Sequence, residues 1–269
     1  MELAEWKGHT MDELITPRMT IDNYTTRKAI TIDDIGVGPV VVISWGGGVI
    51  QSLARELGAQ PSEHWLYVDR QPFFTGKYEG KRFSLAQLPV GAPGTIMIME
   101  ELIACGARCF IGLGWAGSLQ PDAPIGTLLI PTSCISEEGT SLHYLNRDVS
   151  PAPDTSLVEL LEESAQAEGL KVVKGPLWTT DAPYRELRTK VSRYREQGVL
   201  GVDMETSAMY ALGLYRAVRV CNLLVVSDEL GVEWVEAFGT ERLQQATNRA
   251  QQVISRFLRS EQLSQPPNS

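Results

Sequence analysis

The chain has 269 residues, of which 43% are hydrophobic and 21% are charged, a composition ordinary for a soluble globular protein. A formal net charge of −9 and the lack of any block of Lys and Arg argue against a nucleic-acid partner. The sequence has no stretch of about 18 or more apolar residues and no apolar signal core at its acidic N-terminus, so we expect a cytoplasmic protein without a membrane span.

The first 35 residues are polar and mixed in character, and we interpret them as an N-terminal arm followed by a lead-in strand. Two units with the pattern strand, glycine-rich turn and helix come next. They consist of Val40–Ile43, Ser44–Gly48 and Val49–Leu57, and then of Arg82–Pro89, Gly91–Gly94 and a helix that ends at Cys105.

The rest of the chain continues this alternation. Because the strands are apolar throughout, the sheet should be covered by helices on both faces, which makes the fold α/β. No linker interrupts the pattern, so the sequence predicts one domain at residues 36–259, an arm at residues 1–35 and a disordered tail at residues 260–269. The predicted strands are Cys109–Leu113, Thr127–Pro131, Val199–Met204 and Val218–Val226, and the predicted helices are Leu157–Glu168, Glu205–Tyr215 and Glu241–Arg259.

Signals for metals and cofactors are missing from the sequence. The four cysteines form no CxxC pair, and the three histidines lack zinc-type spacing. The glycine runs at 46–48 and 112–117 match neither the phosphate-loop pattern nor the dinucleotide fingerprint. We therefore expect no metal, no cofactor and buried, reduced thiols.

Two carboxylates follow strands, at the place where ligands gather in open α/β sheets. Glu205 lies where a strand turns into a helix, and Asp228 lies where an apolar strand stops. In a structural interpretation, Glu205 complements the positive helix N-terminus and Asp228 caps a turn. In a functional interpretation, an ionised carboxylate accepts hydrogen bonds from a vicinal diol, and a protonated one donates a proton to a leaving heteroatom. Cleavage of an N-glycosidic bond needs both roles.

Glu205 and Asp228 belong to a series of segments that follow one another along the chain: Leu88–Pro93, Gly117–Pro131, Gly139–Tyr144, Trp178–Arg185, Leu200–Met209 and Val225–Asp228. In content and in order, these segments resemble the signature of the purine-nucleoside and uridine phosphorylase superfamily. The resemblance covers roughly residues 36–258. It implies a single three-layer α/β/α domain around a mixed, barrel-like sheet, usually assembled as a homo-oligomer, either a dimer or a hexamer.

The resemblance also implies roles, position by position, for the half of the site that holds sugar and base. Glu205 would hold the ribose 2′ and 3′ hydroxyls. Asp228 would be the general acid that protonates purine N7, for which burial would have to raise its pKa. His9 is a candidate for contacting the 5′ group from a neighbouring subunit. The remaining residues that the resemblance places on the sugar or along the base are Met204, Val202, Asp203, Ala116, Gly117, Trp178, Thr180 and Ser227.

The half that would bind phosphate departs from the family. The family holds the dianion with a glycine loop, two arginines and a serine. Here the first arginine position is Val49, within the loop that contains Trp45 and Gly46. The second arginine position is Gly112, and the Ser/Thr position is Trp115. Arg70 could replace an arginine supplied across a subunit interface, but one arginine cannot replace the set, because a bidentate, charge-assisted phosphate contact is lost.

Three functions remain open at this point. The first is cleavage or transfer at the N-glycosidic bond of a nucleoside, with phosphate or water in a reshaped nucleophile pocket. The second is different chemistry on a bulkier or more apolar substrate that packs on Trp45 and Trp115. The third is non-catalytic binding of nucleosides. Retention of an acid at Asp228 favours catalysis over binding alone.

Overall fold

The apolar strands assemble into one sheet in the computed structural model, which describes residues 13–260. The strands are β1 (Val40–Ser44), β2 (Gln60–Pro61), β3 (Phe73–Tyr78), β4 (Lys81–Gln87), β5 (Cys109–Ser118), β6 (Leu128–Glu137), β7 (Val172–Thr180), β8 (Gly201–Asp203), β9 (Arg219–Leu230) and β10 (Trp234–Glu236). The α-helices are α1 (Pro17–Lys28), α2 (Ile32–Ile35), α3 (Val49–Leu57), α4 (Ala92–Ala104), α5 (Thr155–Ala167), α6 (Arg188–Glu196), α7 (Thr206–Arg216) and α8 (Glu241–Leu258).

The sheet mixes parallel and antiparallel pairs and closes on itself in its central part. Its strand order is β10-β9-β6-β7-β8-β5-β1-β4-β3-β2, and β9 also pairs with β5. The five strands β9, β6, β7, β8 and β5 therefore form a closed ring, while β1 to β4 extend the sheet to one side. Helix α4 packs on α1 and α7, and helix α8 packs on α3 and α5, so two groups of helices flank the sheet. The predicted α/β/α fold with a mixed, barrel-like sheet is confirmed.

Strand direction brings the candidate residues to one edge. Strands β1 and β9 each run parallel to β5, so the carboxyl ends of all three lie together. Strand β8 runs antiparallel to β5, and Val202 is opposite Gly117. The residues that follow β8 therefore return to the same edge.

The N-terminal segment differs from the prediction. Residues 32–35, interpreted as part of a lead-in strand, form α2. The Thr31 side chain accepts a hydrogen bond from Asp34 N, and the Asp34 carboxylate accepts one from Thr31 N at 2.7 Å. This reciprocal cap satisfies the first amides of the helix and favours it over a strand.

Two further findings concern membrane-spanning helices and metal-binding clusters among the described residues. None of the helices between residues 13 and 260 combines the length and apolarity needed to cross a membrane. Within the same range, no group of three or more His, Cys, Asp and Glu side chains is arranged to hold a metal ion.

Candidate active site

A cavity of ≈ 1040 Å³ lies at the edge where β1, β5 and β9 end. Two walls of this cavity carry different kinds of side chain. One wall carries carboxylates from the ends of β8 and β9 and from the turn before α6. The other carries aromatic side chains from the ends of β1 and β5. Predicted site residues that line the cavity are Trp45, Gly46, Val49, Trp115, Ala116, Gly117, Val202, Asp203, Met204, Glu205, Ser227 and Asp228.

A bulge in β9 orients Asp228. Ala116 pairs with Val226 and Gly117 pairs with Asp228, so Ser227 is an extra residue on β9. Such a bulge redirects the side chains that follow it. The Ser227 hydroxyl is 2.6 Å from Asp228 Oδ1, and the Trp234 indole N–H donates to Asp228 Oδ2 at 2.8 Å. Each oxygen of the Asp228 carboxylate thus already has a hydrogen-bond donor, an arrangement that suits an ionised group.

Gly117 makes room for that carboxylate. A Cβ atom built on Gly117 would lie 3.0 Å from Asp228 Oδ2 and 2.5 Å from Leu230 Cδ1. Any side chain at this position would therefore displace the groups at the end of β9. The requirement for glycine at 117 comes from this close approach, because its backbone conformation is one that other residues adopt.

Glu205 lies at the junction of β8 and α7 and is buried, with 6% of its surface exposed. Its Oε1 accepts a hydrogen bond from Gly91 N at 2.6 Å, which fixes one oxygen of the carboxylate. The Met204 N–H also donates a hydrogen bond to this carboxylate. Burial, together with the charge of Asp203, raises the pKa of Glu205. The cleft therefore contains a carboxylate whose position is fixed by two backbone amides.

Asp203 supports this junction from within the protein. Its Oδ1 accepts from the Thr179 hydroxyl at 2.7 Å, and its Oδ2 accepts from Thr206 N at 2.9 Å and from the Thr206 hydroxyl. These bonds tie the start of α7 to β7 and hold the backbone on both sides of Met204. Asp203 therefore positions Glu205 and has little capacity left for a ligand.

Sequence reasoning missed one carboxylate of the cavity, Glu186. This residue follows the short 3-10 turn Pro183–Arg185 and lines the same cavity as Asp228. Its carboxylate forms no hydrogen bond or ion pair with any residue between 13 and 260. Burial, and then the charge of Asp228, raise the pKa of Glu186 to about 7. No periodic pattern marked Glu186, since its segment is polar and lies outside the predicted elements.

The aromatic wall consists of Trp45, Trp115 and Phe238. The Trp45 indole N–H donates to the Thr95 hydroxyl at 2.8 Å, and the Trp115 indole N–H donates to the Thr247 hydroxyl at 3.1 Å. Phe238 packs against Trp115 with ring centroids 6.0 Å apart. A Cβ atom on Gly114 would lie 2.9 Å from Trp45 Cζ3, so the Trp45 ring covers the middle of β5. Both tryptophans line the cavity, and their polar atoms are bound to the protein.

No cation lies on the aromatic wall among the residues that line the cavity. Val49 contributes an apolar side chain there. Gly112 does not line the cavity, and a Cβ atom on it would lie 2.4 Å from Asn222 Oδ1, so Asn222 fills the space that a side chain would need. Arg70 is exposed and lies outside the lining.

The two lining cations belong to the carboxylate wall. Arg188 donates to Val232 O, and Arg195 donates to Leu119 O at 2.6 Å and to Leu230 O. Both guanidinium groups thus tie the α6 segment to the carbonyls around the end of β9 rather than to a carboxylate.

Two residues predicted along the base are not brought to the cavity. Trp178 and Thr180 are buried and do not line it. Trp178 packs on Tyr194 of α6, with ring centroids 5.1 Å apart, inside a small apolar cluster that supports the carboxylate wall. The neighbouring Thr179 contacts Asp203 instead. His9 lies outside the described residues.

Comparison with known proteins identifies a family that the chain matches and several similar relatives. A family model described as the phosphorylase superfamily matches residues 39–259. Similar relatives are the DeoD-type purine nucleoside phosphorylases of Bacillus cereus, Bacillus thuringiensis and Bacillus mycoides. Each is 33% identical over 159 residues, which make up 58% of this chain and 68% of the relative.

Proposed function

The chain belongs to the phosphorylase superfamily, and on that premise we propose that it cleaves the N-glycosidic bond of a nucleoside without using phosphate as the nucleophile. The observation that carries this proposal is the contrast between the two walls of the cavity. The carboxylates needed for sugar and base are present and oriented, whereas the wall that would face the nucleophile is aromatic and has no cation.

Binding of the sugar would rest on Glu205. Gly91 N and Met204 N fix its carboxylate, whose remaining lone pairs would accept hydrogen bonds from a diol. A hydrogen bond to an ionised acceptor contributes about 1.5–3 kcal/mol, and a vicinal diol can supply two donors. Met204, which follows Asp203 in the lining, would pack on the sugar.

Departure of the base would require a proton, and the carboxylate wall has two groups that could provide it. The family resemblance assigns this role to Asp228, with Ala116, Gly117, Val202 and Ser227 along the base. The names of the relatives make purine nucleosides the first substrates to test. The relatives' reaction itself is not carried over, because the aromatic wall and the neighbouring Val49 lack the cations that a phosphate dianion needs.

Water is the nucleophile that suits the aromatic wall best, because it requires no countercharge. A phosphate dianion there would lose its hydration and gain no charged partner from residues 13–260, at a cost of several kcal/mol. We therefore expect the sugar product to be free ribose rather than ribose 1-phosphate. The predicted cytoplasmic location and homo-oligomer remain predictions.

A product assay tests the proposed function. A panel of purine and pyrimidine nucleosides is incubated with the protein in phosphate-free buffer, and free base and sugar are followed by chromatography. We expect base and free ribose in equal amounts. Exclusive formation of ribose 1-phosphate in parallel reactions with phosphate would contradict the proposal. Tight binding of a nucleoside without any product would support the non-catalytic binder instead.

The size of the cavity and the exposure of its aromatic rings support a second candidate function. A volume of ≈ 1040 Å³ is at the upper end of small-molecule sites, and Trp115, Phe238 and Trp234 contribute partly exposed rings to the lining. A nucleoside-derived substrate with a bulky apolar substituent would fit such a wall. In the same assay, faster release from apolar 5′-substituted nucleosides than from the parent nucleosides would favour this candidate.

A further inference from the structure

The base end of the cavity holds two carboxylates in different environments. Asp228 accepts hydrogen bonds on both oxygens, from the Ser227 hydroxyl at 2.6 Å and from the Trp234 indole at 2.8 Å. Glu186 lines the same cavity, is half-buried and has no hydrogen-bond partner among residues 13–260. Hydrogen bonds to a carboxylate favour its ionised form, whereas burial without a partner favours the protonated form.

The chain holds these two groups close to each other. Arg188 and Arg195 of α6 bind carbonyls of Leu119, Leu230 and Val232 around the end of β9. These bonds fasten the segment that carries Glu186 to the strand that carries Asp228. The guanidinium groups of Arg188 and Arg195 thus bind backbone carbonyls and form no ion pair with Glu186 or Asp228.

We propose that Glu186 is the residue that delivers the proton to the leaving base and that Asp228 is its ionised partner. This assignment rests on the proposed function. It differs from the family resemblance, which gives the acid role to Asp228. Two neighbouring carboxylates whose environments separate their proton affinities are an arrangement that enzymes use to divide acid and anion roles.

The step balances with water as the nucleophile. The Glu186 O–H proton moves to a nitrogen of the base while the C1′–N bond breaks, and the electron pair of that bond stays with the base. The oxygen of water bonds to C1′ and releases one proton to solvent. Glu186 is left as a carboxylate and takes up a proton from solvent before the next turnover. Asp228 stays ionised throughout.

The other charged groups of the cavity define the expected pH dependence. Asp203 and Glu205 lie at the β8–α7 junction, where Glu205 would hold the sugar, and Arg188 and Arg195 bind backbone carbonyls around the end of β9. The pKa of Glu186 is raised to about 7, first by burial and then by the charge of Asp228. Because the protonated form is the active one, kcat at saturating substrate should be constant at low pH. It should fall as pH rises through about 7, by about tenfold per pH unit at the limit.

The test measures kcat and its pH profile for the wild type, Glu186→Gln, Asp228→Asn and Glu233→Gln. Glu233 is an exposed carboxylate in the turn between β9 and β10 that does not line the cavity, so Glu233→Gln controls for loss of a nearby charge. We expect Glu186→Gln to lower kcat by about a hundredfold or more, the low end of general-acid contributions, and to abolish the fall near pH 7. We expect Asp228→Asn to keep that fall but to move it to lower pH, because the anion that raises the pKa of Glu186 is gone.

Binding of a C-nucleoside, whose carbon–carbon glycosidic bond resists cleavage, checks each variant by calorimetry. Retained affinity in Glu186→Gln, together with the lost rate, supports the assignment. A wild-type rate in Glu186→Gln, or an unchanged pH profile, overturns it while leaving the proposed function in place. Release of no base by the wild type overturns the proposed function and the role of Glu186 with it.

Discussion

The two walls of the cavity lie at the same edge of the sheet but have opposite chemistry. The carboxylate wall uses the bulge at Ser227, the junction at Glu205 and the turn before α6 to present three acidic side chains. In the aromatic wall, the Trp45 ring lies over Gly114 of β5, and the indole N–H groups of Trp45 and Trp115 are bound to Thr95 and Thr247. The ends of the strands thus determine where in the fold a ligand would bind. The side chains at a few positions determine which reactant can enter the cavity.

Replacement of Glu205 by glutamine should produce the largest loss of ligand affinity among changes in the carboxylate wall. An amide oxygen accepts hydrogen bonds without charge, so binding of a C-nucleoside should weaken by at least about 2 kcal/mol, or roughly thirtyfold. Calorimetry measures this loss. Glu159→Gln on the exposed face of α5 serves as the control and should bind as the wild type does. Equal affinity of Glu205→Gln and wild type would remove Glu205 from the sugar site.

Gly112→Ala tests why the aromatic wall has no arginine on β5. The new Cβ atom would lie 2.4 Å from Asn222 Oδ1, so Asn222 must move and its hydrogen bond to the Thr206 hydroxyl is disturbed. We expect a loss of about 1–3 kcal/mol in the free energy of unfolding, the usual cost of overpacking. Gly47→Ala is a matched control, because a Cβ atom there meets nothing within 4 Å. If both variants unfold at the wild-type temperature, Asn222 does not close that position.

The pH dependence of binding should separate Glu205 from the rest of the cavity. Burial and the charge of Asp203 raise the pKa of Glu205, so the free protein holds a proton there at low pH. A diol binds best to the ionised carboxylate. Affinity for the C-nucleoside should therefore increase with pH up to that raised pKa, by at most about tenfold per pH unit. The measurement is made in the Glu186→Gln background, which removes one other carboxyl with a raised pKa. Asp203, whose pKa burial also raises, remains in this background as the charged neighbour of Glu205. An affinity that decreases with pH would contradict the assignment.

Several elements of the fold could be predicted from the local sequence. Helix α3 spans Val49–Leu57 as predicted and ends at Gly58, whose positive φ of 67° stops it. Strand β5 was predicted to end at Leu113 but continues to Ser118. Glycines often mark turns, but Gly112, Gly114 and Gly117 lie within β5 and allow the close approach of Asn222, Trp45 and Asp228. Sequence alone does not distinguish a glycine that makes room for a neighbouring side chain from a glycine that forms a turn.

The site residues that follow apolar strands could be predicted from the sequence. The contacts between segments that are distant in sequence could not. Glu205 and Asp228 could be selected because they follow apolar strands. The hydrogen bond from Gly91 N to Glu205 joins residues 114 positions apart, and no periodic signal reports it. Glu186 was missed for a related reason, because α6 is polar and attaches to β9 through arginine contacts with backbone carbonyls. Trp178 was expected beside the base, but strand alternation turns it into the core.

Thermal unfolding with phosphate or with the C-nucleoside, at matched ionic strength, tests the contrast between the walls most directly. A ligand at a hundred times its dissociation constant stabilises the folded state by about 2.7 kcal/mol. For a chain of this size, that corresponds to an increase in Tm of roughly 5–10 °C. We predict such an increase with the nucleoside and none with phosphate at millimolar concentration, for both the wild type and Arg70→Ala. An increase in Tm with phosphate in the wild type would show that the aromatic wall admits the dianion and would contradict the account.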